Sequence, residues 1–394
     1  MPEGNGATAT AFEESPHVTV LREGVRAVCA RYPDAYWRDL DARREYPEAF
    51  VRAMTEAGWL GALIPREFGG LGLGLAEAAV ILEEVNRQGG NAGPAHAQMY
   101  VMGALLKHGN EDQKRRFLPG IADGSIRLQA FGVTEPDAGS DTTRIATTAT
   151  RRGDRYVIDG RKIYISRVQH SDLMLLLART APRDEERPAE GLSLFLVDLR
   201  TAGETIRLRR LPMTMNNETN EVEIRELEVP AENLVGVEEQ GFRHVIDGWN
   251  AERILIAAEC VGDGRWFVAR AARYASERVV FGRPIGANQG VQFPIAAAHA
   301  QIEAADLIRQ RAAARFDAGL PCGPDANLAK YLAADASWAA ANACVDTHGG
   351  HGFNAEHDVE RKFRETRLYR VAPISNNLVL AYIGHRVLGM PRSY

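Results

Sequence analysis

A carboxylate followed by an arginine, Glu252-Arg253, stands in a stretch of helical texture, GWNAERILIAAECVGDGRW (248–266). Glu259 follows seven residues on, two helical turns away, so both carboxylates fall on one face. Trp249 and Ile256 share that face, which marks it as partly buried. A carboxyl taken out of water has its pKa raised toward neutrality, where it can accept and return a proton. A Glu-Arg pair on a helix is more often a solvated ion pair, so the spacing alone does not assign catalysis.

A second cluster is FGVTEPDAGSD (131–141). Gly132 and Gly139 flank Thr134-Glu135-Pro136, and Ser140 and Asp141 follow. Such a loop presents backbone N–H groups and hydroxyls without obstruction, which suits the edge of a heteroaromatic ring or a phosphate. The same residues also compose ordinary turns. His348 and His351 bracket Gly349-Gly350, but no carboxylate–cysteine set stands near them, so they read as loop histidines and no metal is expected. Cys29, Cys260, Cys322 and Cys344 are far apart, which argues against a disulfide scaffold or a cysteine-ligated metal. GGLGLGL (69–75) has the wrong spacing for a dinucleotide fingerprint.

The elements that must position these groups change character twice. Residues 18–123 are helical in pattern, with AEAAVILEEVNRQ (76–88) its clearest helix. From 127 to 234 the pattern is β. RYVIDGRKIYIS (155–166) reads as a hairpin about Asp159-Gly160, followed by strands over 173–180, 192–200, 205–211 and 220–230, and suggests an antiparallel barrel or sandwich. Beyond 241 helices return: a long one over 248–282, stopped at Gly282-Arg283-Pro284, then others over 294–318 and 325–346. The length, 394 residues, allows several packed domains, here 1–125, 126–238 and 239–394. Acidic residues outnumber basic ones, 52 to 47, which disfavours nucleic acid or an anionic membrane as partner. The first twenty residues lack an apolar core and carry Glu3, Glu13 and Glu14, so no targeting signal is read there and a cytoplasmic location is expected.

TEPDAGSD, GRKIYIS, YASERVVFGRPI, HGGHGF and VERKFRETR occur in this order and at these separations, and together they resemble the acyl-CoA dehydrogenase family of flavoproteins. The resemblance covers nearly the whole chain. It implies an N-terminal helical domain, a central antiparallel β-barrel and a C-terminal four-helix bundle. It implies FAD, held by Phe131, Val133, Thr134, Gly139 and Ser140 of the loop and by Tyr164, Ile165 and Ser166. Arg278, Phe281 and Gln289 match residues that in the family reach the FAD of a neighbouring subunit, so a homotetramer is expected. Gly349 and Gly350 match the family's glycine pair, Asp346 stands where the family has glutamine, and Ser375 and Asn377 match flavin contacts.

By resemblance the reaction is removal of an α-proton and a β-hydride from an acyl-CoA, with an electron-transfer flavoprotein or similar acceptor downstream. The C-terminal glutamate of many members is replaced here by Pro373, and Glu252 matches the position used by relatives such as isovaleryl-CoA and long-chain acyl-CoA dehydrogenases. Asn250, Arg253 and Ser140 match positions that line the thioester site. Glu259 is the second candidate for the base. One rival is a flavin oxidase or monooxygenase on the same fold, for which the sequence offers no oxygen-specific motif; the other is a catalytically impaired partner subunit, kept open by Asp346 and by Pro373, since proline has no N–H with which to polarise a carbonyl.

Overall fold

The computed structural model describes residues 15–393. The stretch before Ser15, part of the region read for a targeting signal, lies outside them. Among the described residues six α-helices come first: α1 (Pro16–Cys29), α2 (Asp34–Arg43), α3 (Glu48–Glu56), α4 (Leu75–Arg87), α5 (Gly93–His108) and α6 (Glu111–Asp123). Local chemistry sets their ends. Ser15 caps α1 by accepting from Val18 N at 3.3 Å, with Pro16 pre-set for the first turn. Asn110 and Gln113 form a reciprocal capping box at α6.

Strands follow: β1 (Leu128–Gly132), β2 (Thr148–Arg152), β3 (Arg155–Ser166), β4 (Leu173–Arg179), β5 (Leu192–Asp198), β6 (Ile206–Arg210), β7 (Thr219–Pro230) and β8 (Leu234–Val235). They form one sheet in the order β6-β7-β3-β2-β4-β5-β8, with β1 paired to β4. The expected barrel is not closed, because β6 and β8 stay at opposite edges. Nor is the sheet wholly antiparallel: β1 and β2 both pair with β4 in parallel.

The expected hairpin about Asp159-Gly160 is also absent, and β3 runs straight through it. The turn sits earlier, at Gly153-Asp154, where Arg152 pairs with Arg155. Asp159 and Gly160 instead make an irregularity in the β3–β7 pairing. Asp159 Oδ1 accepts from Glu226 N at 2.8 Å, and a Cβ on Gly160 would lie 2.3 Å from Thr147 Oγ1. The glycine is there because the Thr147 side chain, just before β2, crosses closely, and close approach is one of the standard reasons for glycine within a strand.

The C-terminal part contains α7 (Gly241–Glu277), the ribbon β9 (Val279–Val280) and β10 (Arg283–Pro284), then α8 (Gln289–Asp317), α9 (Gly323–His348), α10 (Val359–Arg367) and α11 (Asn376–Tyr382). Where one four-helix bundle was expected, three long helices pack together and the shorter α10 lies against α9 and α7. The long helix ends at Glu277, earlier than expected, because the chain at once turns back as the β9–β10 ribbon.

Three apolar clusters unite these parts. The largest joins α1, α3 and α4 to the C-terminal helices through Val25, Phe50, Ile81, Leu255, Phe267 and Ile302. α4 approaches α7 so closely that a Cβ on Gly262 would lie 2.2 Å from the Glu83 carbonyl oxygen. Strand β4 serves the other two clusters by its period of two. Leu173, Leu175 and Leu177 face α5 and α6, whereas Met174, Leu176 and Ala178 pack with Tyr156, Phe195 and Val222. The N-terminal helices are thereby wedged between sheet and C-terminal helices. That wedge positions the site.

Candidate active site

Helix α7 carries Glu252 and Glu259 on a buried face, 6% and 2% exposed. Among the described residues nothing hydrogen-bonds or ion-pairs with the Glu252 carboxyl. Burial pushes its pKa up to about 7, an effect augmented by Glu259 and opposed by nearby His96 and Arg253. An acid poised near neutrality can act as a base without a large driving force. Beside it, Arg253 Nη1 donates to Asn250 Oδ1 at 3.2 Å, and its guanidinium lies 5.9 Å from the Trp249 ring. Arg253 Nε is buried without a partner, and burial lowers its pKa.

Glu259 is engaged elsewhere. His96 Nδ1 of α5 lies 2.7 Å from its Oε1, and the Tyr369 hydroxyl donates to its Oε2 at 2.9 Å. Asn86 Nδ2 of α4 donates to both the Tyr369 oxygen and the Glu259 carbonyl. A carboxylate with a hydroxyl donor on one oxygen and an imidazole nitrogen close to the other is less free than one with neither. This ranks Glu252 above Glu259.

The loop 131–141 follows β1 and is braced by a buried ion pair. Lys162 Nζ lies 2.8 Å from Glu135 Oε1 and donates to the Val133 carbonyl at 3.1 Å. Glu135 also accepts from Ala146 N and Thr147 N at 2.7 and 3.0 Å. Burial brings Lys162 down to about 8 even with that partner beside it. Ile163 N completes the brace by donating to the Thr134 carbonyl at 2.9 Å. Phe131, Val133 and Thr134 are consequently half-buried and fixed, whereas Gly139 and Ser140 are exposed. Tyr164 stands out from a β3 irregularity with φ of 60° and 58% exposure, a conformation unusual for an aromatic residue. Ile165 is buried, and Ser166 Oγ accepts from Asn217 Nδ2 at 2.9 Å.

Loop and base face are joined through α5. The Tyr100 ring lies 5.9 Å from Phe131 and 5.0 Å from His96. Asn250, Glu252, Arg253, Phe131 and their neighbours therefore belong to one region. Arg278, Phe281 and Gln289 do not. Arg278 caps α7 twenty-six residues beyond Glu252, roughly 39 Å along a straight helix at 1.5 Å per residue. Phe281 is fully exposed at the tip of the β9–β10 ribbon, with φ of 52°, and Gln289 opens α8 on the surface.

Gly349 follows α9 with φ of 57°, and neither it nor Gly350 has any atom within 4 Å of where a Cβ would stand. Asp346 is exposed one turn earlier. Ser375 caps α11, accepting from Leu378 N at 3.3 Å, while Asn377 is exposed. Lys330 Nζ donates to the Ile374 carbonyl at 2.6 Å and to Asn376 Oδ1 at 2.7 Å, which fixes the chain just after Pro373.

Sequence reasoning missed His96, Tyr100, Tyr369, Glu135 and Lys162. The last two lie inside quoted motifs, TEPDAGSD and GRKIYIS, and a lysine flanked by strand residues was the available signal. Nothing in GPAHAQMY (93–100) distinguishes His96 from an ordinary helical residue. Among the described residues no group of three or more His, Cys, Asp or Glu could hold a metal ion, and no helix is long and apolar enough to cross a membrane.

Helices packed against one sheet, with a buried carboxyl on α7 linked through α5 to a glycine-rich loop, bring a proton acceptor and open backbone into one region. Family models agree over most of the chain. Residues 15–125, 130–227 and 239–388 match the N-terminal, middle and C-terminal domains of acyl-CoA dehydrogenase. Acyl-CoA dehydrogenase fadE12 of Mycobacterium bovis is 37% identical over 98% of this chain and 100% of its own length. The acyl-CoA dehydrogenase of Bacillus subtilis is 34% identical over 88% of this chain and 91% of its own. Butyryl-CoA dehydrogenase from Megasphaera elsdenii superposes with a TM-score of 0.90 at 26% identity, covering 96% of this chain and 99% of that one. The chain belongs to the acyl-CoA dehydrogenase family, FAD-dependent oxidoreductases that act on CH–CH bonds. The residues present fit that cofactor: Gly139, Gly349 and Gly350 leave open space, the loop is braced at Val133–Glu135, and Tyr164 offers an exposed ring.

Proposed function

We propose that this chain converts an acyl-CoA thioester to its trans-2-enoyl-CoA, with Glu252 abstracting the α-proton. The observation that carries this is the Glu252 carboxyl itself, buried, free of partners among the described residues and poised near 7 on a helix linked to the loop through Tyr100 of α5. Bound FAD would supply the acceptor for a hydride leaving the β-carbon. Phe131, Val133, Thr134, Gly139, Ser140, Tyr164, Ile165 and Ser166 would hold it, together with Gly349, Gly350, Asp346, Ser375 and Asn377. Asn250, Arg253 and Ser140 orient the thioester. Exclusion of water by α5 and α7 keeps the Glu252 proton from leaking to solvent.

Arg278, Phe281 and Gln289 serve a neighbouring subunit. Their distance from Glu252 and the full exposure of Phe281 support this, as do the apolar surfaces at Val279, Phe293 and Leu307, since large exposed apolar side chains mark interaction sites. A homotetramer of chains divided at 1–125, 126–238 and 239–394, passing electrons to an electron-transfer flavoprotein, completes the reading.

The test is anaerobic titration of the yellow protein with a panel of acyl-CoAs. One thioester should bleach the flavin absorbance. A yellow protein that no thioester bleaches would overturn the proposal and favour the impaired-subunit reading, which the absence of an N–H at Pro373 supports.

A further inference from the structure

Arg167 leaves β3 directly after Ser166, with φ of 61°, and is buried, with 8% exposure. Its Nη2 donates to Asn217 Oδ1, and Asn217 Nδ2 donates in turn to Ser166 Oγ at 2.9 Å. Asn217 is a neutral amide. Among the described residues no carboxylate pairs with Arg167, and its Nε and Nη1 donate to nothing, yet neither atom is sealed in protein. The guanidinium lines a cavity of about 30 Å³ between the α2–α3 corner, the start of α5 and the segment just before β7. Space is kept for it, since a Cβ on Gly93 would lie 2.4 Å from Arg167 Nη2. Buried charges are ordinarily paired, and the acids of the cavity are already taken. Asp41 pairs with Arg364 at 2.6 Å, Glu45 with Arg43 at 3.1 Å, Glu218 with His170 at 2.7 Å, and Glu365 with Arg361 and Lys362, both at 3.1 Å. Arg167 is the charge left over. Asn91 lines the same cavity. Its Oδ1 accepts from Gly93 N at 2.9 Å, which fixes the amide, and among the described residues its Nδ2 donates to nothing.

We propose that Arg167, helped by Asn91, binds a carboxylate in this cavity. The planar fork of a guanidinium matches the two oxygens of a carboxylate. The space holds about two waters, which suits a carboxylate group and not a larger head. The acids around it disfavour a dianion such as phosphate. Two sources carry such a group: the far end of an acyl chain bound as its thioester, and a free small carboxylate. The first has support along α5. Gly93 and Tyr100 are seven residues apart, hence on one face and about 10 Å apart along the axis. The Tyr100 hydroxyl lies within electrostatic reach of both Arg167 and Glu252. That source alone rests on the reading of Glu252 as base.

The experiment is calorimetry on the FAD-loaded protein. CoA monothioesters of dicarboxylic acids of increasing length are each compared with the methyl-ended thioester and with the terminal primary amide of equal length. Free dicarboxylates with their amides, and inorganic phosphate, form the other arms. One carboxylate ligand should bind about tenfold to a hundredfold more tightly than its uncharged partners, the usual margin for a hydrogen bond to a charged group. Arg167→Gln should abolish that margin, and Arg167→Lys, which keeps the charge without the fork, should keep part of it. A margin among the thioesters assigns the carboxylate to the acyl chain. A margin among the free dicarboxylates alone assigns it to a separate small ligand. No margin in either set overturns the proposal, as does one that survives Arg167→Gln or phosphate that binds as tightly as the carboxylates. The wild-type comparison of carboxylate with amide needs no variant, so it decides the matter even if Arg167→Gln fails to fold. If no thioester bleaches the flavin, the dehydrogenase reading has failed, and the calorimetric margin still decides the claim about Arg167.

Discussion

Replacing Glu252 with glutamine separates two consequences of burying one carboxyl. Glutamine keeps the shape and removes the proton chemistry. Raising the group from its ordinary 4.5 to about 7 corresponds to about 3.4 kcal/mol of ionisation made unfavourable, at about 1.36 kcal/mol per pH unit. The unfolded chain loses this proton near 4.5 while the native protein keeps it to about 7. Between those values the unfolded state binds fewer protons, so wild-type stability falls as pH rises and then levels off above 7. Glu252→Gln escapes this loss. The variant should match the wild type at pH 5 and melt a few degrees higher at pH 8, consistent with a gain approaching about 3 kcal/mol. In the same variant, reduction of bound flavin by thioester should fall by about a hundredfold to ten-thousandfold, the usual contribution of a general base. Wild-type kcat/KM should rise with pH through about 7, and the variant's residual rate should lack that limb. Melting scans at both pH values and anaerobic stopped-flow measure all three. Undiminished bleaching refutes Glu252 as base. A variant less stable than wild type at pH 8 refutes the account of its burial.

Other replacements probe the surroundings. Lys162→Met leaves Glu135 charged and buried, which should lower stability by about 3–5 kcal/mol and release flavin on gel filtration, followed by melting and the visible spectrum. Retention of flavin at normal affinity would show that the loop does not need this brace. Gly349→Ala has room for its methyl but must hold φ of 57°, so a cost of about 1–3 kcal/mol is expected together with weaker flavin binding by fluorescence titration. Phe281→Ser touches a ring wholly in solvent in the single chain, so the fold should survive while light scattering reports a smaller assembly; an unchanged assembly would remove Phe281 from the interface.

The order of helical, β and helical segments was legible in the sequence because periodicity is a local property. The apolar run LSLFLVDLR over 192–200 and the alanine-rich helix over 76–88 lie close to where β5 and α4 form. The Asp159-Gly160 pair misled for a physical reason. Its composition suits a turn, but only the crossing of Thr147 shows that the glycine is there for close approach. Barrel closure could not be read either, since it depends on whether β6 and β8 meet, and no single strand encodes that.

The candidate site divides in the same way. Glu252 and Glu259 share a face by arithmetic on a helix, and the sequence alone determined that. Which of the two is free was decided by α4, α5 and the segment at Tyr369, brought from far along the chain to hold Glu259 and leave Glu252. The Lys162–Glu135 brace is likewise a product of packing. Residue type and spacing fix what chemistry a chain can do. Burial and partners, which set pKa and orientation, come only when distant segments exclude water together.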